Sequence, residues 1–441
     1  MTTTYDPQHP AYLDEADTRR EMSRVFDVCR ECRACVELCP SFPALFDTLD
    51  RLGGQDAGMM TPAEQDHVVD GCTQCKLCQV RCPYPPGVHE AAVDFPRLML
   101  RARTVRGGGA ALRSVVARTV ARRGDLIGAL ATRAAGPVNA VADLGRGAGA
   151  RRLAARVLGV SAERRLPRFA QMRFTAWFAR RPRVRVANKQ GSVVVYPTCL
   201  VEYRSPEVGA ALVKVFEHNG VQCDVGPAHC CGAPLLHEGD LRGFTRVAVD
   251  NVARLAEAVR RGADVVVAQP ECTHVVRRDY VDYVGGPDAR LVAAHTYDAA
   301  EYLMNLHLAE GTALDTNFAG DVPHTVAYHS SGHLRTLGID GKGRDLVKLT
   351  GARVTLIDDE SGGVTTQSLR TDAHDDSAFT RRLVARLTAT GADAVVGDCH
   401  RANSVIAGGI GRPARHPMEV IADAYGLDVH VGSPHGDGAA R

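Results

Sequence analysis

The spacing of apolar positions divides the chain at about residue 190. Upstream they recur with helical period. Residues 14–28 and 43–52 each read as a short helix, separated by the breaker Gly53-Gly54 and others like it. Thr61-Pro62-Ala63-Glu64 forms a capping box with proline at the first helical position and launches a helix into Cys72. Residues 97–190 continue as several Ala/Leu/Val-rich helices with little strand signal, broken at Gly107-Gly108-Gly109, Gly136-Pro137 and 145–149. From Ser192 the period changes. Val193-Val194-Val195-Tyr196 is a short buried-strand run, followed by a helix from Ser205-Pro206 to Asn219-Gly220 and a strand ending at Val225. The order returns with Thr325-Val326-Ala327-Tyr328, a helix ending near Gly351 and a strand over 353–357. Phe244-Thr245-Arg246 and Gly262-Ala263-Asp264 recur as Phe379-Thr380-Arg381 and Gly391-Ala392-Asp393. Strands alternating with helices predict parallel sheets, and the self-similarity predicts two pseudo-symmetric halves.

The expected fold is therefore multidomain α/β. A helical segment over 1–96 and a helical connector over 97–190 precede two α/β halves at 191–310 and 320–430. A length of 441 residues accommodates two to four domains, and 45% hydrophobic with 24% charged residues is ordinary for a globular protein. No run of 18 apolar residues occurs, so no membrane-spanning segment is expected, and the polar stretch from Met1 to Pro10 gives no signal peptide. Net charge is only +2, yet residues 97–187 hold 21 arginines against Asp125, Asp143 and Glu163, leaving −16 for the rest. That asymmetry speaks of contacts, and the segment is a candidate docking surface for an acidic partner or a membrane surface. Phe174, Trp177 and Phe178 share one helix face beside Arg180 and Arg181, a pattern expected to pack rather than to anchor in lipid. No nucleic-acid module accompanies the basic segment, and no nucleic-acid partner is expected.

The fourteen cysteines carry the chemistry. Cys29-x2-Cys32-x2-Cys35-x3-Cys39-Pro40 recurs as Cys72-x2-Cys75-x2-Cys78-x3-Cys82-Pro83. This spacing holds [4Fe–4S] cubes, three cysteines gripping one cluster from a tight loop and the fourth reaching to the other. On that rule Cys29, Cys32, Cys35 and Cys82 form one set, and Cys72, Cys75, Cys78 and Cys39 the other. Zinc ribbons use separated pairs and have no need of the third cysteine. Thiols destined for iron need a reducing compartment, which places the chain in the cytoplasm, with the inner membrane face as a peripheral alternative.

A further set comprises Cys199, Cys230, Cys231 and Cys272, each following a predicted strand, with His229 and Cys223 nearby. Four thiols at the carboxyl ends of strands make a soft-metal site for iron–sulfur or zinc. A redox-active Cys230–Cys231 pair would close only a strained ring, which favours ligation. At the corresponding places the second half has Gly332, Ser361 and Gly362. Only Cys399 stands there, as the expected counterpart of Cys272, and the second half reads either as structural or as lending Cys399 and His333 to a shared cleft. No dinucleotide fingerprint or P-loop is present, so neither flavin nor nucleotide is expected on this chain.

Paired cubane motifs joined by a helical spacer resemble the helical ferredoxin domain of fumarate reductase-like iron–sulfur subunits. Together with Tyr196-Pro197-Thr198-Cys199, His229-Cys230-Cys231-Gly232, Cys272, Tyr328-His329, His333-Leu334-Arg335 and Asp398-Cys399, the chain resembles the family of the iron–sulfur subunit of anaerobic glycerol-3-phosphate dehydrogenase. More distantly it is similar to two fused subunits of heterodisulfide reductase. Residues 42–47 and 94–100 look like a branch found alongside rubrerythrin-type proteins. The resemblance implies two [4Fe–4S] clusters, a non-cubane cluster or related metal at the Cys-Cys-Gly (CCG) site, and a flavoprotein dehydrogenase or rubrerythrin-like redox partner. The expected function is electron relay to a quinone, disulfide or protein acceptor, with Cys230 and Cys231 at the point where electrons leave or enter. The rivals are a self-sufficient thiol/disulfide reductase at the same cysteines and a non-catalytic redox sensor.

Overall fold

The computed structural model describes residues 5–107, 119–144, 168–186, 188–226, 230–357 and 376–431. Its first unit is helical. Helices Glu15–Cys32, Ser41–Arg51, Pro62–Gly71, Leu77–Arg81 and Phe95–Val105 enclose a core of Met22, Phe26, Phe42, Leu45, Val68, Phe95, Leu98 and Met99. The capping box at Thr61 forms as expected, its hydroxyl accepting from the Glu64 N–H while the Glu64 carboxylate takes the Thr61 N–H. The helix over 14–28 runs longer than the sequence suggests. It continues to Cys32 and ends where Arg33 turns left-handed at φ 49°, so Cys29 and Cys32 occupy its last turn rather than a loop. Helix Phe95–Val105 crosses residue 96 and belongs to this core.

The two halves follow. The first sheet has the order β2-β1-β3-β4, with β1 Gly191–Val195, β2 Val221–Val225, β3 Asp264–Val267 and β4 Thr296–Asp298. The second repeats it as β6-β5-β7-β8, with β5 Thr325–His329, β6 Arg353–Ile357, β7 Ala394–Gly397 and β8 Ala414–Arg415. Every pairing is parallel; Val193 faces Cys223 on one side and Asp264 on the other, and Ala327 faces Thr355 and Val395. Strand order reverses between β1 and β3, which opens a crevice beyond their carboxyl ends. One continuous apolar core joins the halves, setting Val193, Val266 and Phe216 of the first with Leu346, Met418 and Ile421 of the second.

The aromatic triplet packs into that core. Phe174 is fully buried, Trp177 nearly so, and their rings stack at 5.8 Å. Burying such rings contributes about 2–3 kcal/mol each, far more than a surface contact. Several described arginines of the 97–190 segment make contacts within the molecule. Arg101 is wholly buried and donates to the Tyr12 carbonyl at 2.8 Å and Asp17 at 2.7 Å. Arg97 pairs with Asp282, Arg106 with Asp70, Arg122 with Asp240, and Arg181 with both oxygens of Glu217 at 2.8 and 2.7 Å. These described arginines neutralise carboxylates of the negative remainder. No described helix is long and apolar enough to cross a membrane.

Candidate iron–sulfur and CCG centres

The eight cysteines of the doubled motif gather in two groups. Cys29 has Cys35, Cys82 and Cys32 as its thiol neighbours, and Cys39 has Cys75 and Cys72, with Cys78 beside all three. Cys82 of the second run thus sits with the first trio, and Cys39 of the first run with the second. Cys29, Cys32, Cys35 and Cys82 are partly exposed, whereas Cys39, Cys72, Cys75 and Cys78 are buried. Among described non-glycine residues only Arg33, Gln74, Lys76 and Ala92 have positive φ, and the first three lie inside the two motifs. Such backbone costs energy and persists where surroundings demand it; here it curls each segment so that its thiols face one another. Gln74 donates to the Cys72 sulfur at 3.2 Å and the Tyr84 N–H to the Cys82 sulfur at 3.4 Å. Burial pushes the Cys75 thiol up to about 11 and the Cys35 thiol to about 12. Thiols so disfavoured as free thiolates stay protonated on their own, so a metal bound by them would displace protons.

The third group lies at the crevice of the first sheet. Cys199 opens the helix Cys199–Tyr203 after β1, with Thr198 as cap, and Cys272 lies in the short helix Pro270–His274 after β3. Cys230 and Cys231 follow β2. Side-chain hydrogen bonds link Cys199 to Cys230, Cys230 to Cys231 and Cys231 to Cys272, and Cys199 in turn acts on Cys272, so the four thiols form a row that folds back on itself. No three His, Cys, Asp or Glu side chains among the described residues close on a single point as ligands of one ion would. Cys231 and Cys272 are buried, while Cys199 and Cys230 reach the surface in part. The Cys272 thiol is pulled down by its hydrogen bond with Cys231, but burial outweighs this and leaves it at about 11. His229 falls outside the described residues, and Cys223 is buried on β2 with its sulfur directed at backbone carbonyls of Val213 and Val221, apart from the row.

The surroundings fix this row. Gly232 adopts φ +88°, and a Cβ there would come within 2.9 Å of the Phe244 ring, so the glycine after the vicinal pair is required twice over. Its N–H points to the Cys230 sulfur at 3.5 Å. Asn251 donates to the Cys230 carbonyl at 3.0 Å and to the hydroxyls of Tyr196 at 3.1 Å and Tyr280 at 2.9 Å, and Tyr280 donates to the Cys231 carbonyl at 2.9 Å. Asp125, on the connector helix Gly124–Arg133, accepts from the Cys230 N–H at 3.1 Å. Sequence reasoning missed these supports. The signal for Asn251 was a polar residue within the apolar stripe Phe244, Ala248, Val252, Leu255; Asp125 offered none.

Two joints connect the groups. Arg103 donates to the carbonyls of Cys72 and Val69 and to that of His237 at 3.1 Å, tying the buried cubane motif to the first half. Lys76, buried within Cys75-Lys76-Leu77-Cys78, faces Asp279 and His237 of the first half and His333 of the second. Burial would push the Asp279 carboxyl up, but Lys76 and His274 hold it well below the usual carboxylate range. His333 packs against the first half, its ring 5.6 Å from that of His274.

Cys399 corrects the expected pairing with Cys272. It caps the helix His400–Ile410 as Gln269 caps Pro270–His274, so the place of Cys272 is taken by Ala402. Cys399 is buried and accepts from Gln269 at 3.3 Å. Ser361 and Gly362 lie outside the described residues.

Residues 28–85 match the 4Fe-4S dicluster domain family, and residues 193–277 match the cysteine-rich (CCG) domain family. The molecule thus combines a region similar to 4Fe-4S dicluster domains with one similar to cysteine-rich (CCG) domains. In particular, it is similar to a subunit of the anaerobic glycerol-3-phosphate dehydrogenase of Escherichia coli (strain K12), at 27% identity over 305 residues, covering 68% of this chain and 75% of that protein. It is also similar to a subunit of the fumarate reductase (CoM/CoB) of Methanothermobacter marburgensis, 28% identical over 34% of this chain and 27% of that one. Lactate utilization protein A of Geobacillus thermodenitrificans is 25% identical over 33% of this chain and 59% of its own. These matches meet the resemblance read from the cysteine motifs and support an iron–sulfur subunit of an oxidoreductase.

Proposed function

We propose that the chain relays electrons between a flavoprotein dehydrogenase and a quinone, disulfide or protein acceptor. The observation that carries this is the series of three thiol groups, partly exposed, then buried, then partly exposed again, joined through Arg103 and Lys76. In this reading Cys29, Cys32, Cys35 and Cys82 hold one [4Fe–4S] cluster, and Cys39, Cys72, Cys75 and Cys78 the second. Cys199, Cys230, Cys231 and Cys272 hold a third, non-cubane cluster. Four soft thiols in one group suit an iron–sulfur cluster, with a single zinc ion as the alternative occupant. Bound clusters supply one-electron transfer, and hydrogen bonds to sulfur and burial set their potentials. The protein's own part is to fix the thiols, exclude water from the middle group, and leave the outer two accessible.

A cavity of about 70 Å³ beside Cys230, lined by Asp125, Arg122, Gly232, Leu235, Val247 and Asp250, bears on the rival disulfide reductase. It has room for a few water molecules, which leaves an acceptor, a disulfide included, to meet the centre where Cys199 and Cys230 reach the surface in part. The test is anaerobic mixing of dithionite-reduced protein with a soluble quinone or a disulfide, followed by EPR. Wild type is expected to reoxidise in all its signals, and Cys231→Ser to leave the cubane signals reduced. Equal reoxidation in the variant means that electrons leave from a cubane. Sustained disulfide turnover by the chain alone with an artificial donor decides for the reductase.

A further inference from the structure

The second half has lost the ligand positions the structure describes, yet its helix starts press against the first centre. The two short turns after β3 and β7 meet across a pseudo-two-fold. Gln269 and Cys399, equivalent as caps, touch each other, the Gln269 amide donating to the Cys399 sulfur and accepting the His400 N–H at 3.2 Å. Two positions further along each helix stand Glu271 and Arg401, and these also meet, at 3.4 Å. In an isologous contact equivalent residues face one another. Here the first half presents a carboxylate, next to Cys272, and the second answers with a guanidinium. Glu271 is almost wholly buried and its second carboxylate oxygen has no hydrogen-bond partner, while Arg401 is about a quarter exposed at 27%. The Arg401 charge also acts on the sulfurs of Cys199, Cys272 and Cys399.

We propose that Arg401 is a positioning residue of the CCG centre that compensates its negative charge and so raises the reduction potential of a cluster held there. The inference rests on the reading that Cys199, Cys230, Cys231 and Cys272 bind such a cluster. Four thiolates and the adjacent Glu271 concentrate negative charge in a buried place. Each added electron adds to it, so a fixed cation favours the reduced form and a fixed anion the oxidised form. The second half thereby delivers a fixed positive charge to the centre of the first, in addition to Arg204 of the first half, which acts on Cys199.

The experiment is EPR-monitored redox potentiometry of the anaerobically purified full chain, comparing wild type, Arg401→Gln, Arg401→Lys and Glu271→Gln. Arg401→Gln is expected to shift the reduced/oxidised equilibrium of the third signal about tenfold toward oxidised, a fall of about 59 mV for a one-electron couple. Glu271→Gln is expected to shift it the other way, and Arg401→Lys to stay close to wild type. The cubane signals serve as the internal control for folding. A role in packing alone would move both neutral variants in the same direction or neither, and either result overturns the proposal. Wild-type protein with no third signal overturns the cluster reading itself, which is distinct from a signal that ignores both charges.

Discussion

The two halves share strand order, parallel register and buried tyrosines at the ends of their first strands, Tyr196 and Tyr328, yet among the described residues four thiols gather in the first alone. In the first, the ends of β1, β2 and β3 carry four thiols, and Asn251, Tyr280 and Asp125 fix the loops between them. In the second, Gly332 stands in place of Cys199 and Ala402 in place of Cys272. The absence of a side chain at Gly332 is used: a Cβ there would lie 2.5 Å from the Cys75 carbonyl oxygen. The start of the Gly332 helix is a surface on which the buried cubane motif rests. The interior of this half holds a hydrogen bond from Tyr328 to Asp398, with the Asp298 carboxyl nearby. A repeat that loses its ligands thus keeps the sheet, whose packing is general, and converts the strand ends, whose chemistry was special.

The largest test of this contrast exchanges cysteines between the halves. Cys231→Ser is expected to lose the third cluster, about a third of the iron, while Cys399→Ser keeps a full complement; iron and sulfide analysis reads both. Next, Gly332→Leu drives a side chain into the Cys75 backbone and is expected to cost about 3 kcal/mol, read as a lowered Tm with loss of the buried cubane signal. Asn251→Leu leaves two tyrosine hydroxyls and the Cys230 carbonyl without their donor, at a cost of about 2 kcal/mol in denaturant unfolding.

The smallest effect is one of pH. Burial raises the Asp398 carboxyl to about 7, above its ordinary range. A carboxyl with a raised folded-state pKa stabilises the protein fully below pH about 4 and loses that contribution as pH climbs to about 7. The slope is about 1.4 kcal/mol per pH unit. Asp398→Asn keeps the acceptor for Tyr328 and is expected to be less sensitive over that window than wild type. Equal pH dependence of unfolding in the two proteins would show that Asp398 titrates normally.

What was legible in the sequence was local. The capping box at Thr61, the strands at 193 and 325, the interleaved grouping of the eight motif cysteines and the buried aromatic face at Phe174 all follow from spacing over a few residues or from a repeated motif. The extension of the first helix through Cys29 and Cys32 was hidden because Arg33 ends it with a left-handed turn that no glycine announces. Cys399 was aligned with Cys272 because each is the cysteine after its strand. Only the helix caps show the three-residue offset, since they depend on where each turn begins. Arg103, Arg401, Gln269 and Lys76 act across units far apart in the chain, and nothing near them in sequence marks their partners. The arginine excess was visible as charge, but its pairing with Asp17, Asp70, Asp240 and Asp282 is set by tertiary packing.

The central claim is that metal resides in three thiol groups and that the second half holds none. Iron, zinc and acid-labile sulfide content of the anaerobically purified wild-type chain, with EPR of its reduced and oxidised forms, tests it most directly. About 12 iron atoms per chain with three distinguishable signals is the predicted result. About 8 iron atoms with one zinc would contradict it, making the CCG site structural and leaving a cubane as the point where electrons depart.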